Sequence, residues 1–127
     1  MRYLLDTHAF IWWDREVSKL PGHVYDACCD NKNTLFLSAV SVWELQIKIG
    51  VGKLRFERPL ERIVEEQIAN GVEILSVKLP HLWQLSDLPR VHGDPFDRLL
   101  IAQATVEDMH LISADRMFSS YPVKLFW

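Results

Sequence analysis

Hydrophobic residues in this chain fall into short unbroken bursts separated by longer stretches with helical spacing. Tyr3-Leu4-Leu5 is one such burst, and it stops at Asp6-Thr7-His8. An apolar run that ends so abruptly predicts a strand buried on both faces, with an acid at its C-terminal end. Further strands are predicted at Leu35-Phe36-Leu37, Glu73 to Val77 and Leu111-Ile112-Ser113, and Lys124 to Phe126 offers a fifth at an edge.

The intervening stretches predict helices. One starts over Ala9 to Trp13, a second covers Gly22 to Asn31, and Asn31-Lys32-Asn33 turns into the next strand. Ser38 caps a helix from Ala39 to about Ile49, which Gly50 and Gly52 stop. Pro59 opens another reaching about Ala69, with Asn70-Gly71 as its exit; Leu79 to Leu85 is a short helix, and Ser86 to Gly93 a loop. Asp94-Pro95 begins the clearest helix, Phe96 to Glu107. Strands and helices that alternate in this way predict an α/β fold with three layers. A central, mainly parallel sheet of four or five strands lies between helices, because right-handed crossovers place helices on both faces.

At 127 residues, with 49% hydrophobic and 24% charged, the chain reads as one globular domain over residues 1–127. Cys28 and Cys29 are adjacent, which suits reduced thiols in the cytoplasm and excludes a disulfide framework. Asp6, His8 and Asp14 interrupt the N-terminal apolar stretch, which argues against a signal peptide or a membrane span. The net charge of -3 provides no overall basic field to attract nucleic acid. A cluster of acids nevertheless recruits cations, and these attract phosphate.

Acids do stand where such a cluster forms. In parallel sheets ligands bind beyond the C-terminal ends of the strands, where Asp6 and Asp115 fall. Asp97 lies in the first turn of one helix and Glu44 in the first half of another. Each has a plainer reading. Asp94 before Pro95 reads chiefly as an N-cap. Asp97 shares its face with Leu100, Ile101 and Ala104, opposite the polar face marked by Arg98 and Thr105, so a buried carboxylate there needs a compensating partner. Glu44 has Lys48 four residues on, an ordinary exposed pair, yet it also borders Val40, Trp43 and Ile47. Asp115 reads equally as a cap for the turn through Met117 and Phe118.

Carboxylates gathered within a few ångström repel one another unless a cation lies among them. An all-oxygen set without histidine or cysteine at metal spacing suits Mg2+, or Mn2+, better than zinc. Such an ion activates water and stabilises charge on phosphate oxygens.

The motifs Leu4-Leu5-Asp6-Thr7-His8 with Trp12-Trp13, Ser38-Ala39-Val40-Ser41-Val42-Trp43-Glu44, Asp94 to Ala104, and Ser113-Ala114-Asp115 with Phe118 resemble those of the PIN-domain family, and of VapC-type toxins within it. The resemblance spans the whole chain. It implies that Asp6, Glu44 and Asp97 are metal-binding acids, that Asp115 is a more variable fourth, and that Asp94 belongs to a subgroup with an extra one. Thr7 and Ser113 match polar positions beside the site. The activity implied is magnesium-dependent endoribonuclease cleavage of an RNA substrate. The partners implied are a cognate antitoxin protein, lying in an apolar groove, and a second copy in a homodimer. The sequence departs from many relatives at His8, where they carry Asn or Ser.

Trp12, Trp13, Trp43, Phe56 and Trp83 are more aromatics than a small core readily hides, and they supply material for a groove. Lys48, Lys53, Arg55, Arg90, Arg98 and Arg116 are available for phosphate, with Arg98 foremost because it follows Asp97. Two other readings remain open: phosphoryl transfer through an aspartyl phosphate at Asp6, and a non-catalytic RNA- or protein-binding module on the same fold.

Overall fold

The computed structural model describes residues 1–127 and contains five strands, β1 (Arg2–Leu5), β2 (Thr34–Ser38), β3 (Glu73–Leu75), β4 (His110–Ile112) and β5 (Leu125–Phe126). Six α-helices connect them: α1 (Thr7–Arg15), α2 (Gly22–Cys29), α3 (Ala39–Gly50), α4 (Leu60–Ala69), α5 (Leu79–Gln84) and α6 (Pro95–Glu107). All four strand pairings are parallel, in the order β3-β2-β1-β4-β5. The α/β reading with a parallel central sheet is therefore what the chain adopts, and the fifth strand does lie at an edge.

Alternation along β1 shows why both faces need cover. Tyr3 and Leu5 pack with Phe10, Val24 and Ile63 from α1, α2 and α4 on one side, while Leu4 packs with Leu100, Ile101 and Met109 on the other. Leu4 and Leu5 are both fully buried, each worth about 1.5–3 kcal/mol relative to exposure. No helix is long and apolar enough to cross a membrane.

Where boundaries differ from expectation, the cause is local. Helix α1 starts at Thr7, two residues before Ala9, because Asp6 caps it by accepting from the Ala9 N–H at 2.7 Å. Strand β3 stops at Leu75 rather than Val77, since its neighbour β2 ends at Ser38 and offers nothing further to pair with. The stretch expected as a loop after α5 opens with a short 3-10 turn, Leu85–Asp87. Gly71 ends α4 at φ +101°, a conformation only glycine adopts freely.

A buried polar network ties α5, α6 and β2 together. The Ser38 hydroxyl donates to Gln103 Oε1 at 2.5 Å, and Gln103 Nε2 donates to the Ser76 carbonyl at 3.3 Å. His81 Nδ1 accepts from the Lys78 N–H at 3.0 Å, so its Nε2 carries the hydrogen that meets Glu107 Oε2 at 2.8 Å. Ser38, His81 and Gln103 are all fully buried, and each has its partners.

Candidate active site

The strand order fixes where a ligand belongs. From β1 the chain moves outward through β2 and β3, then crosses back to β4 and β5, so β1 and β4 flank the point where the connections diverge. Asp6 follows β1, and Asp115 stands three residues beyond β4. The Asp6 N–H donates to the Ile112 carbonyl at 3.0 Å, which pins the first acid against the neighbouring strand.

Into this crevice open a cleft of about 430 Å³ and its lining: Asp6, Thr7, His8, Trp12, Glu44, Lys48, Asp94, Asp97, Ala114 and Asp115. All five acids singled out from the sequence are present. Ser113 stands beside Asp6, while Arg98 lines a separate recess with Arg90 and His92.

Three of the acids cap a helical turn as well as line the cleft. Asp6 caps α1, Asp94 Oδ1 accepts from the Phe96 and Asp97 N–H groups at 2.9 and 3.1 Å, and Asp115 Oδ1 accepts from Met117 N–H at 2.9 Å. Each of these caps uses Oδ1 and leaves the second oxygen free of a backbone donor. The capping readings are thus correct for Asp94 and Asp115, and capping holds them in the cleft wall.

Glu44 is buried, contrary to a solvated helix face, although its expected pair with Lys48 forms at 3.0 Å. Its other oxygen accepts from the Thr7 hydroxyl at 2.7 Å, which lies 3.1 Å from Ser41 Oγ. Asp97 Oδ2 meets His92 Nε2 at 3.1 Å, and Asp97 Oδ1 has no protein partner.

The electrostatics are those of carboxylates withdrawn from water, with repulsion between them as a smaller contribution. Burial pushes Asp6 up from 3.8 to about 6; the charges of Asp115 and Glu44 add to this, while Ser113 and the Ala9 N–H favour the ionised form. Burial also raises Asp97 to about 6, the His92 hydrogen bond opposes it, and Asp94 and Glu44 add repulsion. Only Lys48 stands among five carboxylates as a lasting positive charge. A divalent cation fits such a donor set. No three of these side chains stand close enough to hold an ion among them; the fit rests on the all-oxygen chemistry of the set, which suits Mg2+ or Mn2+.

Sequence reasoning passed over His92, which sits in no periodic pattern with the acids and reaches Asp97 through a hydrogen bond that only the fold creates. Ser41, one turn before Glu44 on α3, is fully buried beside Thr7. Of the five aromatics proposed for a groove, Trp43 and Trp83 are well exposed, at 59% and 65%. Trp12 packs on Trp127, Trp13 donates to Gln67 Oε1 at 3.1 Å, and Phe56 lies under Arg15. Arg98 donates to the Pro89 carbonyl at 2.8 Å and to Tyr121 Oη at 3.1 Å, so it is anchored, not displayed on the polar face of α6.

Residues 3–124 match the PIN domain family model. The chain is 29% identical over 126 residues to Ribonuclease VapC22 of Mycobacterium tuberculosis, covering 93% of this chain and 90% of that protein. Among solved structures, VapBC2 from Rickettsia felis, bound to a DNA fragment from its promoter, superposes with a TM-score of 0.76 at 20% identity over 100% of this chain and 99% of that one. VapBC-1 from nontypeable Haemophilus influenzae gives 0.66 at 16% identity, over 99% and 97%.

Proposed function

The chain belongs to the PIN domain family, and from that premise we propose that it is a single-domain, magnesium-dependent endoribonuclease of the cytoplasm, the toxin of a toxin–antitoxin pair. The observation that carries this reading is the convergence of Asp6, Glu44, Asp94, Asp97 and Asp115 on one cleft with a single lysine to offset them. The relation to Ribonuclease VapC22 supports RNA as the substrate.

Asp6 and Asp97 are the principal holders of the ion. Burial raises the proton affinity of both, so a positive charge that reaches them is favoured over leaving two bare carboxylates in the cleft. Mn2+ would satisfy the same oxygens. When bound, the divalent ion supplies an activated water and stabilises charge on the scissile phosphate. Glu44, steered by Thr7 on one oxygen and Lys48 on the other, is a further ligand or the base that orients the attacking water. Asp115 completes the rim, and Asp94 sets the start of α6 so that Asp97 faces the cleft. His8 and Lys48, also in the lining, are placed to meet the RNA backbone.

A protein partner finds support in apolar residues left in solvent. Trp43, Ile47 and Val51 form a strip at four-residue spacing on and just past α3, and Leu79, Leu82 and Trp83 form a second on α5. A cognate antitoxin and a second copy of the chain are the occupants we assign to such strips, in keeping with relatives solved as VapBC assemblies.

Incubation of the purified protein with total cellular RNA tests the core of the proposal. Cleavage is expected with Mg2+, loss of cleavage with chelator, and recovery when Mg2+ or Mn2+ is returned in excess. Cleavage that persists in chelator would overturn the metal requirement, and none with either ion would overturn the nuclease reading.

A further inference from the structure

His92 lies two residues before the cap of α6, and both of its ring nitrogens are engaged. Nδ1 is 2.6 Å from Tyr121 Oη, and Nε2 is 3.1 Å from Asp97 Oδ2. The ring is packed edge-on against Tyr121 and is 16% exposed, so little water competes for either contact.

The direction of the hydrogens follows from the donors around Tyr121. Its phenol oxygen also meets Arg98 Nη1 at 3.1 Å and the His92 backbone N–H at 3.3 Å. Guanidinium and amide nitrogens only donate, so they occupy the two lone-pair positions of the phenol. The phenol hydrogen has two acceptors within reach, the His92 carbonyl at 3.5 Å and His92 Nδ1 at 2.6 Å, and the much shorter contact assigns it to Nδ1. With Nδ1 accepting, Nε2 carries the ring hydrogen and donates it to Asp97. Every hydrogen in the series Arg98, Tyr121, His92 runs toward the carboxylate.

We propose that His92 is a positioning residue for Asp97. Held at Oδ2 by a donor whose tautomer is fixed from behind, Asp97 presents Oδ1, the oxygen without a protein partner, to the ion-binding cleft. This gives Arg98 a role at the far end of the series. Its Nη1 is anchored on the Pro89 carbonyl as well as on Tyr121, and the guanidinium lies 5.9 Å from the Tyr121 ring. Hydrogen-bonded partners of this kind set the orientation of a ligating carboxylate, and removing them characteristically weakens metal binding by about 10–100-fold. The inference rests on the cleft being a divalent-ion site, as proposed above.

The test is a calorimetric titration of the purified, RNA-free protein with Mn2+, alongside urea denaturation to confirm that each variant is folded. His92→Leu is expected to weaken Mn2+ binding by about 10–100-fold, while His92→Gln, whose amide nitrogen reaches where Nε2 stands, retains most of the affinity. Tyr121→Phe removes one hydroxyl from an otherwise intact ring, and is expected to weaken binding by a smaller factor; it serves if His92→Leu does not fold. Unchanged Mn2+ affinity in the folded variants, with only stability lowered, would reduce His92 to a loop anchor and overturn the proposal while leaving the nuclease reading intact. If the wild-type protein binds no Mn2+, both fall together.

Discussion

Helix α6 runs between two buried polar regions that obey opposite rules. Near its C-terminal end, Gln103 and Glu107 meet Ser38, Ser76 and His81 in a network where each donor finds an acceptor. At its N-terminal end, Asp94 and Asp97 face Asp6, Glu44 and Asp115, and like charges crowd together with one lysine among them. Complementary burial of the first kind rigidifies a fold and asks for nothing more. The second kind leaves a residual strain that a bound cation would relieve, and it is this asymmetry along one helix that the proposed site rests on.

The largest expected contrast is in activity. Asp97→Asn removes one carboxylate charge from the crowded end and is expected to lower RNA cleavage by about 10³-fold, roughly 4 kcal/mol of transition-state stabilisation. Circular dichroism should show the fold retained. Cleavage within about threefold of the wild type would remove Asp97 from the site.

Stability against pH gives the next largest effect. Folding raises Asp6 from 3.8 to about 6, so the folded state binds this proton more tightly than the unfolded chain. The resulting stabilisation is fully present below pH 3.8 and is lost as pH rises through about 6. In chelator at pH 7.5, the ionised group therefore leaves the protein on the order of 3 kcal/mol less stable than its protonated form would. Asp6→Asn keeps a good helix cap and abolishes the titration. The variant should be more resistant to urea than the wild type at pH 7.5, with the gap closing toward pH 4. An equal gap at both pH values would show that repulsion and burial at Asp6 are not what strains this end.

The satisfied end should respond in the opposite sense. Gln103→Leu strands the Ser38 hydroxyl and the Ser76 carbonyl, and is expected to cost about 1–3 kcal/mol in urea denaturation. Cleavage per folded molecule should stay near the wild-type value. A Gln103→Leu protein that is as stable as the wild type would erase the distinction between the two ends.

The same contrast explains what could be read from the sequence. The strands, the Asp94-Pro95 helix start and the Glu44–Lys48 pair are local, encoded within a few residues, and they emerge as expected. Topology then carried Asp6, Asp97 and Asp115 to one crevice, because all lie at or beyond C-terminal strand ends or at a helix start near that edge. What escaped was the support around the acids. Nothing in the spacing of His92 and Tyr121, 29 residues apart, announces a hydrogen bond. Arg98 looked like an exposed cation on a polar face, and only the docking of the segment near Tyr121 converts it into an anchor. The apolar neighbours of Glu44 on α3 hinted at its burial, but its hydrogen bond to Thr7, on a different helix, was not encoded in any local spacing.

The position of β1 at the centre of the sheet also governs when the first acid is set in place. Its second neighbour, β4, supplies the Ile112 carbonyl that anchors Asp6, and β4 is synthesised long after β1. At about 5–20 residues per second, the roughly one hundred residues between them take the ribosome some 5–20 s to make. Throughout that interval the first acid exists without the scaffold that sets it in place, so the crevice cannot gather its carboxylates while the intervening chain is still being made.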